Sequence, residues 1–508
     1  MGDEHIKGHP KTGRQLPLGQ DPRRWKILVV VLTSIFMSLI SVSIVNVALP
    51  SIQNGLGASS SDVQWVLSGY ALTFGVVLVA AGRAGDLLGR GGLFLIGIAV
   101  YTGSSIAAGL APGAEALNIA RFAQGIGAGL LSPQGVGMIQ QFFHGKERGR
   151  AFGWFGSTVG VAVAIGPVLG GLLIRLGGAE HGWRYTLLVN VPIGMLAMAL
   201  ALMYFPRPLL SRVKNPATGE NLGTLRAFRS LDPLGSVLLG AAVLAFLYPF
   251  VESGGGNWIW WLIPAAIILL IAWVRWEQTV KHKRPYSPMV DLQIFRETSF
   301  RNGTLLAGIY FMGITSVWVL VAMYFQHGLG HTALIAGSIG IPAAIGSSVA
   351  SNWAGKMVST HGRLVVIAGV ATAMFGLVSS IAVLWLHESV GLPEWWLILT
   401  LAFFGTGQGA VISPNQTLTL ADVPLEYAGS SGAVLQTAQR IGTSIGLALI
   451  TAIAFMVTDK FNWSAGVGAG FVVILGLITI AMGIAVYDRN SRTKAKQRKV
   501  SKVRPTTT

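Results

Sequence analysis

Two arginines set the chemical question. Arg121, in Arg121-Phe122-Ala123-Gln124-Gly125, and Arg440, four residues after Gln436, are the charged side chains well inside apolar stretches of this 508-residue chain. A guanidinium in hydrocarbon is costly, so by default it faces a cavity, a partner or an ion pathway. Arg121 reads as a functional group of that kind; pinning a main-chain carbonyl is the structural alternative. Gln436 and Arg440 share one helical face at i,i+4. Neutral polar residues stand at similar depth. They are Ser41, Asn46, Gln64, Tyr70, Gln124 and Gln134 early in the chain, and Gln408, Asn415, Gln416, Gln436 and Gln439 late in it. Helix-to-helix hydrogen bonding and substrate contact are both open to these amides. Two arginines without an acidic neighbour suit a cavity for anionic or neutral amphipathic solutes.

Other chemistries lack their residues. Cys is absent, which excludes a thiol nucleophile and any Cys-ligated metal. There is no Gly-x4-Gly-Lys-Ser/Thr loop for ATP and no His-Glu-x-x-His metal site; His387-Glu388 has no second His. No Lys sits mid-stretch to carry a retinal. Gly429-Ser430-Ser431-Gly432 resembles an intramembrane serine-protease string, but it has no partner His within an apolar stretch, and close packing explains it. The reading is of a protein that is not an enzyme and needs no cofactor.

The elements that hold these residues follow from composition. Apolar residues make up 52% of the chain and charged ones only 11%, against roughly 25% charged in soluble proteins. A bilayer crossing takes about 20 mostly apolar residues. Such runs lie at 27–49, 62–82, 92–111, 117–140, 150–174, 185–205, 234–251, 258–274, 302–325, 332–354, 364–386, 395–418, 428–456 and 466–487. The polar residues 1–26 contain no secretory signal. With the N-terminus inside, 32 of the 37 Lys and Arg fall on the cytoplasmic side, and only Arg175, Arg184 and Lys460 fall outside. That bias sets fourteen spans with both termini cytoplasmic, as lysine and arginine counts in short loops do. The net charge of +17 is then loop charge, and the tail 489–504 is a polybasic segment on an anionic leaflet, with no role for nucleic acid. Trp258, Trp260, Trp261, Trp395 and Trp396 read as an interfacial belt. Seven carboxylates, Asp62, Glu115, Glu180, Glu252, Glu388, Glu394 and Asp459, fall at outer edges. The others, Asp232, Glu277 and Asp488 among them, fall on the inner side, and none lies deep in a span.

The spans repeat. Gln53-Asn-Gly-Leu-Gly57 recurs as Gln326-His-Gly-Leu-Gly330, and Gly82, Asp86, Gly89 and Arg90 recur as Gly355, Ser359, Gly362 and Arg363 at the same offset. Gly125-x-Gly-x-Gly129 before Ser132-Pro133 recurs as Gly405-x-Gly-x-Gly409 before Ser413-Pro414. The expected architecture is two parallel six-helix halves, 27–205 and 302–487. Segment 206–301 supplies cytoplasmic linkers and two inserted helices, and 1–26 and 488–508 are cytoplasmic ends. A substrate site in such a fold lies between the halves.

These motifs resemble the major facilitator superfamily. Gly82-Arg-Ala-Gly-Asp86-Leu-Leu-Gly89-Arg90 matches its second-to-third-helix loop, which governs switching between outward- and inward-facing states, and the repeat copies Gly355, Gly362 and Arg363 are expected to share in that switch. Leu87 and Gly91 replace residues that are usually basic there. Arg121 with Gln124 resembles the fourth-helix motif implicated in proton coupling. Gly160 and Gly166-Pro167-x-x-Gly170-Gly171 resemble the antiporter motif of its drug exporters. Ile44-Val45-Asn46 and Trp183-Arg184-Tyr185 resemble its fourteen-span drug–proton antiporter family. The resemblance implies a secondary active multidrug exporter in the plasma membrane. It would carry amphipathic small molecules by alternating access, draw on a proton gradient rather than ATP, and confer antibiotic resistance. One departure counts: Ser41 stands where that family places an Asp. It leaves a second reading open, an exporter of an endogenous metabolite with different or no proton coupling.

Overall fold

The computed structural model describes residues 21–211, 221, 229–251, 256–283 and 288–503. Most of the expected segment 1–26, much of the linker after residue 211 and the last residues of the basic tail lie outside that set. Among the described residues, fourteen long helices form the bundle. The first six are α1 Arg24–Leu56, α2 Ser61–Leu88, α3 Arg90–Gly109, α4 Ala114–Phe142, α5 Gly145–Gly178 and α6 Glu180–Tyr204. Then come α7 Pro233–Phe250 and α8 Asn257–Lys281. The last six are α9 Thr298–Gly328, α10 Leu334–His361, α11 Arg363–Val390, α12 Trp396–Thr419, α13 Leu425–Lys460 and α14 Trp463–Arg492. Helix is what an apolar run must form in lipid, because it satisfies every backbone polar group within the segment.

Thirteen of the fourteen are apolar enough on composition alone to cross a bilayer. The exception is α4. Its 29 residues are long enough, but they carry Asn118, Arg121, Gln124, Gln134, Gln140 and Gln141. That polarity is tolerated because α4 lies inside the bundle between α2 and α3, with both faces covered. Glycines allow the approach. A Cβ on Gly127 would lie 2.7 Å from the Tyr101 main-chain nitrogen, and one on Gly125 would collide with Thr73 and the Tyr70 carbonyl. Most helices run a turn or more past the apolar limits read from sequence. The break between α5 and α6 falls at Gly178, whose φ of 78° suits glycine.

Two large apolar cores form, the first centred on the N-terminal half but reaching Phe300 and Ala307 of α9 and Ala433 and Leu435 of α13. One cluster joins α1 to α4 and α6 through Met37, Tyr70, Phe94, Tyr101 and Ile139. The other joins α9 to α14 through Tyr310, Phe404, Ile450 and Phe471. Two seams connect the halves: α2 and α4 lie against α13, and α5 lies against α10 and α12. If α9–α14 repeat α1–α6, helix 2 corresponds to 10 and 5 to 13. Exchanging the halves then turns the α2–α13 seam into the α10–α5 seam. The inserted pair α7–α8 packs on itself and, through α7, along α2.

Candidate functional site

The α2–α3 turn lies at the end of the bundle rich in Arg and Lys, here the basic end. Gly89 closes it with φ 103°, a conformation that disfavours any side chain. The turn carries Asp86 and Arg90 to the start of α13, in the other half. Asp86 Oδ1 accepts from the Gly429 N–H at 2.9 Å, and Oδ2 accepts from the Ser430 N–H at 2.9 Å. These are donors in the first α-helical turn of α13, which begins at Ala428 after a 3-10 turn, where unpaired N–H groups and the helix dipole favour an anion. Arg90 closes the assembly. It donates to Asp86 Oδ1 at 2.8 Å, to the Leu425 carbonyl at 2.9 Å and to Gln141 Oε1 at 2.7 Å. The Asp86 side chain is only 1% exposed. Gly82 completes the fit, since a Cβ there would stand 2.7 Å from the Gly429 oxygen.

The second copy of the motif is built differently. Ser359 replaces Asp86 and donates to the Lys356 carbonyl in its own helix. Arg363 turns inward to Asp488 and Asn415 of its own half. Gly355 does cross between halves, but as close packing: it and Gly149 face each other's carbonyls. Of the second-half residues expected in the switch, Gly355 thus sits on a seam, Gly362 forms the turn with φ 55°, and Arg363 ties its own half together.

Arg121 is fully buried. Nε donates to the Val66 carbonyl at 2.8 Å and Nη1 to Gln124 Oε1 at 2.5 Å, and Gln124 passes a donor to Ser105 Oγ at 2.7 Å. The guanidinium lies 4.5 Å from the Tyr70 ring centre, and the Tyr70 hydroxyl meets Ser38 Oγ at 3.0 Å. Nη2 is buried with no partner. So Arg121 both pins a carbonyl, as the structural alternative held, and retains one uncommitted donor. Ser41 is buried nearby in α1, while Asn46 is exposed and Gln64 and Gln408 are half-buried.

Between the halves, Ser132 donates to Gln436 Oε1 at 2.6 Å, and Arg440 stacks 4.3 Å from the Phe74 ring centre. Gln436 and Arg440 of α13 therefore both face the N-terminal half. Two of the amide candidates take the helix-to-helix alternative. Gln134 donates to the Ala81 carbonyl at 2.8 Å and ties α4 to α2, and Asn415 donates to the Gly303 carbonyl at 3.0 Å and accepts from Arg363. Each amide ties helices within its own half, because a buried amide takes the first carbonyl its helix neighbour offers.

The glycine face of α5 splits between two neighbours. Gly166 abuts Ser43 of α1, and a Cβ on Gly170 would lie 3.4 Å from the Ile44 oxygen. Gly160 faces α10, where a Cβ would lie 3.0 Å from the Ala344 oxygen; Pro167 packs on Gly337. Gly171 has open space. Ser157 and Ser348 exchange hydroxyl-to-carbonyl bonds across the same seam.

Comparison with known proteins places this geometry. The family model for the Major Facilitator Superfamily matches residues 31–252 and 228–447. A probable actinorhodin transporter of Streptomyces coelicolor is 30% identical, over 85% of this chain and 73% of its own. The multidrug resistance protein Stp of Mycobacterium tuberculosis is 30% identical, over 85% of this chain and 76% of its own. Among solved structures, the human organic anion transporter MFSD10 superposes with a TM-score of 0.64 at 14% identity, covering 92% of this chain and all of that one, a likeness of fold alone.

Proposed function

The chain belongs to the Major Facilitator Superfamily, in its branch of antibiotic and multidrug transporters, and from that premise we propose that it exports amphipathic small molecules by alternating access, in exchange for protons. The basic end is the cytoplasmic one in this reading, with both termini inside. The observation that carries the proposal is the Asp86–Arg90 latch. It joins α2 to α13 across the halves through hydrogen bonds that exist only while that end is closed. A pathway between the halves cannot open to the cytoplasm without breaking them. The glycine face of α5, shared between α1 and α10, supports export over import through its resemblance to the antiporter motif.

A second reading keeps the transport and changes the coupling. Ser41 is buried where the resembled family places an acid, and Arg121 and Arg440 make no ion pair among the described residues. That favours neutral or anionic cargo, including a metabolite made by the cell. Transport in inside-out vesicles, with and without a pH gradient, tests both readings against a panel of organic cations, neutrals and anions. Gradient-driven uptake supports the first. Uptake indifferent to the gradient supports the second, and no uptake of any class refutes both.

A further inference from the structure

A second set of ionisable groups lies beneath the latch, in the inserted helices. Asp232, just before α7, and Glu277, near the end of α8, are 3% and 1% exposed. They converge over Gly235: a Cβ there would lie 3.1 Å from Glu277 Oε1 and closer still to Asp232 Oδ2. Asp232 is held at φ 50°, rare for a residue with a side chain. Its Oδ1 accepts from Trp276 Nε1 at 2.9 Å and from the Gly235 N–H at 3.2 Å. Among the described residues its Oδ2 has no partner, and Glu277 is approached by the Val290 and Met289 N–H groups without a close bond. Trp273, 6% exposed, faces Glu277, and its indole N–H is also without a formed bond. Two carboxylates this close in a dry site are costly if both are ionised.

The neighbouring charges define what relieves that cost. From α2, Arg83, itself 3% exposed, lies within electrostatic reach of Asp86, Glu277, Asp232 and Tyr427 of α13. On α8 and the segment after it, Lys281 is committed to Asp291 at 2.7 Å. Arg90 is committed to Asp86. The buried set is therefore two arginines, Arg83 and Arg90, against three carboxylates, Asp86, Asp232 and Glu277. One proton balances it.

We propose that Glu277, buried against Asp232, forms a proton site, and that Arg83 links its occupancy to the α2–α13 latch. The proposal deepens the proton-exchange reading above and rests on it for its role in transport. With the latch closed, the site is dry and Glu277 holds one proton beside the Asp232 carboxylate. When the start of α13 leaves α2, Tyr427 and its neighbours no longer cover Arg83, water reaches the pair, and the proton departs. The closed latch thus binds one more proton than the open one. Acid on the basic side stabilises closure, and that stabilisation fades as pH rises through the titration of Glu277. The linkage gives the latch equilibrium up to a tenfold change per pH unit.

The absence of cysteine makes the test direct. His144→Cys and Glu426→Cys, both exposed and on opposite halves, carry spin labels in the full chain in lipid nanodiscs, and their separation is recorded from pH 5 to pH 9 without substrate. The expected result is a rising open fraction with pH in the parent, and a latch closed at every pH in Glu277→Gln. The slope returns in Glu277→Asp and persists in Glu388→Gln, an exposed acid at the opposite end. Asp232→Asn serves if Glu277→Gln does not fold. A parent without slope, an unchanged slope in either neutral variant, or a neutral variant held open would overturn the proposal. The readout needs no transport. A pH-dependent latch with gradient-independent export would sink the exchange reading and leave this one standing.

Discussion

Asp86→Asn is the sharpest perturbation of the gate. The carboxylate accepts two N–H bonds from α13 and two from Arg90, and it does so while 1% exposed, so solvent screens little of the interaction. Hydrogen bonds to a charged group are worth about 1.5–3 kcal/mol each, and placement at a helix N-terminus adds about 0.3–1 kcal/mol. Asn keeps one acceptor oxygen. Its amide nitrogen, however, presents a donor to a donor at either Gly429 or Ser430. The net loss to the closed state is about 3 kcal/mol, roughly a hundredfold in the closed-to-open ratio. A latch closed 99% of the time would then be closed about half of the time. The spin-labelled pair at His144→Cys and Glu426→Cys reads this as a second, longer separation of comparable weight. Efflux should fall with it, because the outward-facing state is less populated. An unchanged separation in a folded Asp86→Asn protein would refute the gate: the hydrogen bonds would be present without bearing on the equilibrium.

Other substitutions probe the remaining parts. Arg121→Lys keeps the charge but cannot fork to both the Val66 carbonyl and Gln124, so transport should be lost while thermal stability in detergent falls by about 1–3 kcal/mol; wild-type transport would show that the fork is dispensable. Gly355→Ala should destabilise the α5–α10 seam by about 1–3 kcal/mol because its Cβ meets Gly149, whereas Gly171→Ala, facing open space, should leave the melting temperature unchanged. Ser41→Asp puts an acid beside the buried first-half network and should raise uptake of organic cations over neutral solutes in vesicles; no change in that ratio would place the cargo path elsewhere. Arg440→Gln should selectively weaken transport of anionic solutes, and an equal loss for all classes would assign Arg440 to the seam with Phe74 instead.

Much of this architecture is legible in the sequence, because lipid leaves few options. Apolar length and the bias of Lys and Arg set the number and expected direction of the helices, and the shared offset of the Gly82 and Gly355 motifs set the halves. What stays hidden is pairing at long range. Asp86 announces a latch, but its partner is the backbone of Gly429 and Ser430, 343 and 344 residues away, and a main-chain N–H has no letter in a sequence. Gly429-Ser430-Ser431-Gly432 reads as close packing, and it is that as well. Asp232 and Glu277 look like loop acids at an inner edge; only the fold of α7 and α8 against α2 dries them. Gln134 and Asn415 mislead for the converse reason. A buried amide near mid-chain suggests a cavity, yet each is taken up by a carbonyl of its own half.

The asymmetry between the two seams has a physical logic. They are related by the repeat, yet one is held by an ionised carboxylate on helix N–H groups and the other by glycine and serine. A charge-assisted contact is short-ranged and directional, so it is either made or broken. Contacts among small residues are individually weak and tolerate sliding, since no single bond defines their register. If both seams were polar latches, each turn of the cycle would break two sets of strong bonds. If both were smooth, nothing would separate the end states into discrete populations. The replacement of Asp86 by Ser359 in the second copy therefore reads as a division of labour. In the proposed cycle the α2–α13 seam would set which state is occupied, and the α5–α10 seam, carried by Gly149, Gly355 and the Ser157–Ser348 exchange, would keep the halves in register while it changes. The inserted helices lie against the first seam, through α2, where a charge change would be felt.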